Sequence, residues 1–151
     1  MKTKLGLVVC SLALLFLVAL RAGTPEQEKA FVDKYKTAYE ANDKKTLESF
    51  LYTKGANPMA LEFYKMMMAN DEGSKISKIE LENLSPEDAK KAAAVEEGPD
   101  GKKSQLPIVP TKKLKVSVEQ KGDSGSSSGS SSIFVAEKDG KFVIPVPATA
   151  K

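Results

Sequence analysis

One pattern near the C-terminus restricts the fold more than any other. It is IFVAEKDGKFVIPVP, residues 133–147, in which Asp139-Gly140 separates two apolar runs. Asp-Gly is favoured where both central residues of a tight turn need φ above zero, the geometry whose twist matches that of two antiparallel strands. A two-residue turn there sets Val135 opposite Ile144 and Ala136 opposite Val143, which gathers Ile133, Val135, Phe142, Ile144 and Val146 on one face. That face belongs in a core. The same register opposes Pro145 to Phe134 in a hydrogen-bonded pair, where proline has no N–H to give. The ladder should therefore weaken after Ile144, or the strand should lie at an edge beyond it, and Pro147 with the tail ATAK should fray.

Upstream, LKVSVEQ alternates Leu114, Val116 and Val118 against Lys115, Ser117 and Glu119, so one face of this strand is buried and the other wet. Between it and the hairpin, GDSGSSSGSSS (residues 122–132) reads as a flexible Gly/Ser-rich loop. KISKIELENL reads as a further strand. The segment before these is helical. Thr24 is placed to cap a helix, with Pro25 at the first position and Gln27 completing a capping box, and Phe31, Tyr35, Ala38 and Tyr39 recur at helical spacing. After the polar break Asn42-Asp43, KKTLESFLY predicts a short second helix with Leu47, Phe50 and Leu51 on one stripe, stopped by Gly55. Asn57-Pro58 starts a third helix, MALEFYKMMMAN, whose apolar residues surround more than one face: either it is well buried or part of it is an adaptable exposed surface. SPEDAKKAAAVEE has the signature of a helix start at Ser85-Pro86, in competition with a loop over the sheet.

The N-terminus has a different texture. Lys2 and Lys4 precede an apolar run from Leu5 to Leu20, followed by Arg21-Ala22-Gly23, the pattern of a secretory signal. As a helix the run rises about 24 Å, short of the roughly 30 Å hydrocarbon core, which favours cleavage over a permanent span. Residues 1–22 are thus read as a signal peptide and residues 23–151 as a single exported α+β domain, periplasmic or extracellular, with membrane contact only through residues 5–20 if the signal stays uncleaved. Its short, lysine-initiated form fits a bacterium. The single cysteine, Cys10, lies inside the apolar run, so cleavage leaves a domain with no disulfide and no thiol nucleophile.

Composition then excludes chemistry. The absence of histidine, together with the loss of Cys10, removes the Ser-His-Asp and Cys-His systems and the common zinc sets. No calcium loop and no phosphate loop is present, so neither metal nor cofactor is expected. The 23 Lys and Arg exceed the 20 Asp and Glu only by Lys2, Lys4 and Arg21, all in the leader, and no basic footprint for nucleic acid survives its removal.

The order of elements describes helices packed on a curved antiparallel sheet that ends in a β-hairpin. Within it, FVDKYKTAYEANDKKTLESFLY, with its long aromatic helix, polar break and short second helix, resembles the opening of nuclear-transport-factor-2-like (ketosteroid-isomerase-like) cone domains, and KLKVSVEQ with FVAEKDGKFVIPVP resembles their closing strands. The resemblance implies a cavity between the first helix and the sheet, lined by Phe31, Tyr35, Tyr39, Phe50, Phe142 and Ile144. In relatives such cavities bind small apolar molecules or are filled by side chains, and large aromatics at helical spacing favour the filled form. The expected function is an exported, non-enzymatic small-ligand-binding or accessory domain, with two alternatives. One is an envelope interaction module using Met66, Met67 and Met68, and a dimer is one form it could take. The other is an isomerase- or hydratase-like enzyme, against which stands the lack of a convincing inward carboxylate: Glu137 falls next to the turn, Glu119 on the polar side of its strand, and Asp33 and Glu40 beside the apolar stripe of the first helix, where surface charges are expected. No catalytic residue is therefore assigned.

Overall fold

The computed structural model describes residues 23–69, 74–98, 101–122 and 125–150 and shows an α+β protein whose helices all precede residue 94. Helix α1, Pro25–Glu40, begins as its capping box dictates: the Thr24 hydroxyl accepts from the Gln27 N–H at 3.2 Å while Gln27 Oε1 accepts from the Thr24 N–H at 3.2 Å. It ends at Asn42, whose φ of 51° is left-handed, and the Asp43 carboxylate then caps α2, Lys44–Glu48, through the Thr46 N–H at 3.0 Å. Helix α3, Pro58–Met68, starts on the Asn57 side chain, and α4, Pro86–Ala93, on Ser85. Each of the four helices thus opens on a capping side chain read from the sequence.

Helix α2 is shorter than predicted. It stops at Glu48, and Leu51–Tyr52 becomes β1, parallel to β7, Lys141–Pro145. The cause is tertiary: Ile144 N–H donates to Phe50 O at 2.8 Å and Val146 N–H to Tyr52 O at 3.1 Å, so β1 satisfies the outer edge of β7 and the local helical pattern yields.

The remaining strands are β2 (Ser74–Asn83), β3 (Glu96–Glu97), β4 (Lys103–Gln105), β5 (Lys112–Gly122), β6 (Gly125–Lys138) and β8 (Ala148–Thr149). They form a five-stranded sheet in the order β1-β7-β6-β5-β2 and a three-stranded sheet in the order β3-β4-β8. The terminal hairpin has the register its turn implies: Asp139 and Gly140 take φ of 51° and 73°, and Ala136 pairs with Val143. The β6–β7 ladder ends there, short of Pro145. Because Ile144 and Val146 send their N–H groups to β1, the missing donor of Pro145 falls on the side where pairing has already stopped, and β7 lies inside the sheet instead of at its edge.

Two expectations are corrected. The Gly/Ser segment is not a loop over Gly125–Ser132: it is the first part of β6, paired residue by residue with β5 from Gly122↔Gly125 through Lys115↔Ser132. Residues with little strand preference are held there because the main chain of β5 needs a partner along its length, and small exposed side chains do not oppose pairing. Nor is the tail left unpaired through Ala150, Lys151 lying outside the described residues. Pro147 O accepts from Asn57 N–H at 2.9 Å, β8 pairs with β4, and Ala150 N–H donates to Lys103 O at 2.8 Å.

One apolar cluster holds α1, α2, the end of α3 and the inner face of the larger sheet together, with Leu47, Leu114, Val135 and Ile144 nearly sealed from solvent. Two ion pairs of low exposure join helices to β5: Lys112 with Glu28 of α1 at 2.6 Å, and Lys113 with Asp88 of α4. Ala136 and Pro145, on the reverse face of the hairpin, are also buried, so the last strands are covered on both sides.

Candidate functional site

All six residues assigned to a pocket lining meet, and they meet in contact. Phe31 packs edge-on against Phe50 at 5.2 Å between centroids and against Phe142 at 5.6 Å; Tyr35 lies 5.7 Å from Phe50 and stacks on Tyr39 at 6.5 Å. Ile144 is fully buried in the same cluster. Rings at these separations occupy the space between α1 and the sheet themselves. The Tyr35 hydroxyl is pushed well above the usual phenol range by burial and by the neighbouring Tyr39.

Among the described residues no carboxylate is buried. Asp33 pairs with Lys29 and Glu40 with Lys36 on the exposed side of α1. Glu119 lies opposite Ser128 on the polar face of the β5–β6 ladder, and Glu137 beside the hairpin turn. Among the described residues no group of three or more Asp, Glu, His or Cys is arranged to hold a metal, and no helix is long and apolar enough to cross a membrane.

Among the described residues the widely exposed large apolar side chains are Val95, Val109 and three that gather on α3. Met68 is 2 % exposed and Tyr64 and Met67 pack against the core, whereas Met59, Phe63 and Met66 are 52, 55 and 69 % exposed. Their spacing of four and three residues aligns them as one stripe on the face turned away from the core. The expected Met66-Met67-Met68 surface is thereby redrawn: consecutive residues of a helix point in different directions, so of that triplet only Met66 is widely exposed. Met59 and Phe63 form one wall of a groove of about 520 Å³, whose floor includes Ala60 and Tyr64 and whose other wall comes from Glu96–Gly98 and Pro147. Phe63 and Tyr64 stand edge to face at 6.3 Å. Burial, and then the negative charge of Glu96, raise the Tyr64 hydroxyl above its ordinary range, so it remains a neutral donor at the groove floor.

The groove is assembled from segments far apart in the chain. Asn57 anchors α3 by accepting from Met59 N–H at 2.9 Å and ties it to the tail through Pro147, while β4 holds β3 and β8 beside it. The sequence signal that points to it is the excess of apolar residues on α3 over what one buried face requires. The opposite wall, from residues 40 and 90 positions further on, carries no such signal. No protein-family model matches this chain, and no curated protein or solved structure matches it.

Proposed function

We propose that this is an exported, non-enzymatic interaction module that holds an envelope protein against the α3 stripe and the groove beside it. The observation that carries the reading is the stripe Met59, Phe63, Met66: three large apolar side chains, each more than half exposed and aligned on one helix, on a protein that buries Phe31, Tyr35, Tyr39, Phe50 and Phe142 in one cluster. Exposed apolar surface collected on one helix, with adaptable thioethers and an aromatic ring, is the composition of a contact surface. The nuclear-transport-factor-2-like ancestry suggested by the sequence forms part of this proposal. It is supported by a long first helix on the sheet, the Asn42-Asp43 break and the short α2.

The test is site-specific photo-crosslinking in an exporting cell from a probe at Phe63, with the same probe at exposed Lys54 as control. A discrete adduct from position 63 alone, abolished by Met59→Asp in a chain that keeps its circular dichroism and Tm, supports the module. Equal labelling from both positions counts against it. The groove volume supports a second reading, since about 520 Å³ lies within the size of small-molecule sites. Native mass spectrometry of the exported protein would then show a bound small molecule that is lost in Phe63→Asp.

A further inference from the structure

Gly23 stands immediately before the cap of α1 and has φ of 109°, a conformation that costs glycine nothing and other residues a great deal. A Cβ on it would lie 2.9 Å from Glu137 Oε1 and 3.8 Å from the Phe142 ring. Gly23 thus lies beside the side chains of the cross-strand pair Glu137 and Phe142. Since a Cβ lies about 2.5 Å from its own nitrogen, Glu137 Oε1 is within roughly 5.5 Å of the Gly23 nitrogen. That nitrogen already donates to Gln27 Oε1 at 3.1 Å, on the atom that also receives the Thr24 N–H.

Among the described residues Glu137 has no ion-pair partner. The other carboxylates at this end of α1 are engaged: Glu28 pairs with Lys112, and Glu26 is held below its usual range by hydrogen bonds from its own backbone and from Thr24. A half-buried carboxylate within roughly 5.5 Å of the Gly23 nitrogen, at the boundary between leader and domain, is placed to meet a positive charge formed on that nitrogen.

We propose that an export peptidase hydrolyses the Ala22–Gly23 bond and that the new Gly23 α-ammonium is held by Glu137 and Gln27, so that processing completes the joint between α1 and the terminal hairpin. This rests on the exported reading given above. Water adds across the peptide bond, leaving a carboxylate on Ala22 and an ammonium on Gly23. In the uncut chain the Gly23 amide has one hydrogen, which goes to Gln27. The ammonium has three, which permits a bond to Glu137 while that to Gln27 is kept. The new charge sits at the positive end of the α1 dipole, where a cation is unfavourable. Glu137 offsets that repulsion from the facing element.

The experiment begins with the full chain expressed in an exporting bacterium and the intact mass of the recovered protein, which should correspond to a start at Gly23. Ala22→Leu, which puts a large residue where the peptidase needs a small one, supplies the unprocessed chain for comparison. Glu137→Gln should lower the Tm of the processed chain by about 2–5 °C and leave the Tm of the Ala22→Leu chain in the same detergent unchanged. A chain recovered whole overturns both the exported reading and this proposal. A chain processed at another bond overturns only the proposal. Processing at Gly23 with an equal Tm change in both backgrounds removes Glu137 as the seat and leaves export standing.

Discussion

Phe50, in the turn after α2, and Phe63, on α3, are the same side chain, yet one is 6 % exposed and touches Phe31 and Tyr35, while the other is 55 % exposed and forms a groove wall. The first has partners contributed by α1 and receives the Lys34 ammonium 5.3 Å from its ring centroid. The second is left over after Tyr64, Met67 and Met68 have used the inward side of α3. Residue type therefore does not separate core from contact surface in this protein. What separates them is whether a second element arrives to cover the ring.

The largest effect should come from emptying the covered cluster. Phe50→Ala should cost about 3–5 kcal/mol, because the rings around it cannot collapse into the space, whereas Phe63→Ala should cost no more than about 1 kcal/mol. Urea denaturation of the two variants measures both, and similar midpoints would erase the distinction. In partner capture the order reverses: with the photo-probe moved to Met66, Phe63→Asp should lower crosslinking yield about tenfold or more, while a conservative core change such as Phe50→Leu should leave it unchanged wherever the chain stays folded. Capture by both variants alike would move the contact surface elsewhere.

The ends of the pH scale sharpen the comparison next. The hydrogen bonds from Lys113 and then Ser85 hold the Asp88 carboxyl below its usual range. A folded-state value below the unfolded one supplies stability above the unfolded value and loses it as pH falls through the folded one. Asp88→Asn should therefore flatten the acid limb of a Tm-against-pH profile. Tyr35 and Tyr64 are displaced upward, so they stabilise below the ordinary phenol range and cease to do so as pH rises through their folded values. Absorbance near 295 nm should show both ionising above the ordinary phenol range, in step with loss of structure for Tyr35 and ahead of it for the less buried Tyr64. The smallest effect is at the helix start, where Thr24→Ala should cost about 1 kcal/mol through the lost cap and leave capture intact.

What the sequence allowed one to read was local. Thr24, Asp43, Asn57 and Ser85 cap their helices within three residues of chain, and Asp139-Gly140 sets the hairpin register from the turn outward. Leu51–Tyr52, Gly125–Ser132 and Ala148–Thr149 are not legible as strands because each is a strand only by virtue of its partner. Nothing within the SSSGSSS run favours extension. The candidate site divides in the same way. The surplus of apolar residues on α3 is visible in the sequence, but which of Met59, Phe63 and Met66 faces outward, and that Glu96 and Pro147 stand opposite, follows from packing between distant segments.

The pairing of β1 with β7 has a consequence for how the protein forms. Leu51 meets Ile144, so this contact closes a loop of about 90 residues, while Phe50 and Ile144 share the central cluster. Closing so long a loop is entropically costly and comes late in folding. An emerging chain can build α1 and α2 early but has no permanent cover for Phe31 and Phe50 until its last dozen residues arrive. The interval before Phe142 and Ile144 emerge is therefore when the aromatic face of α1 is most open to aggregation, and when a holdase would find it.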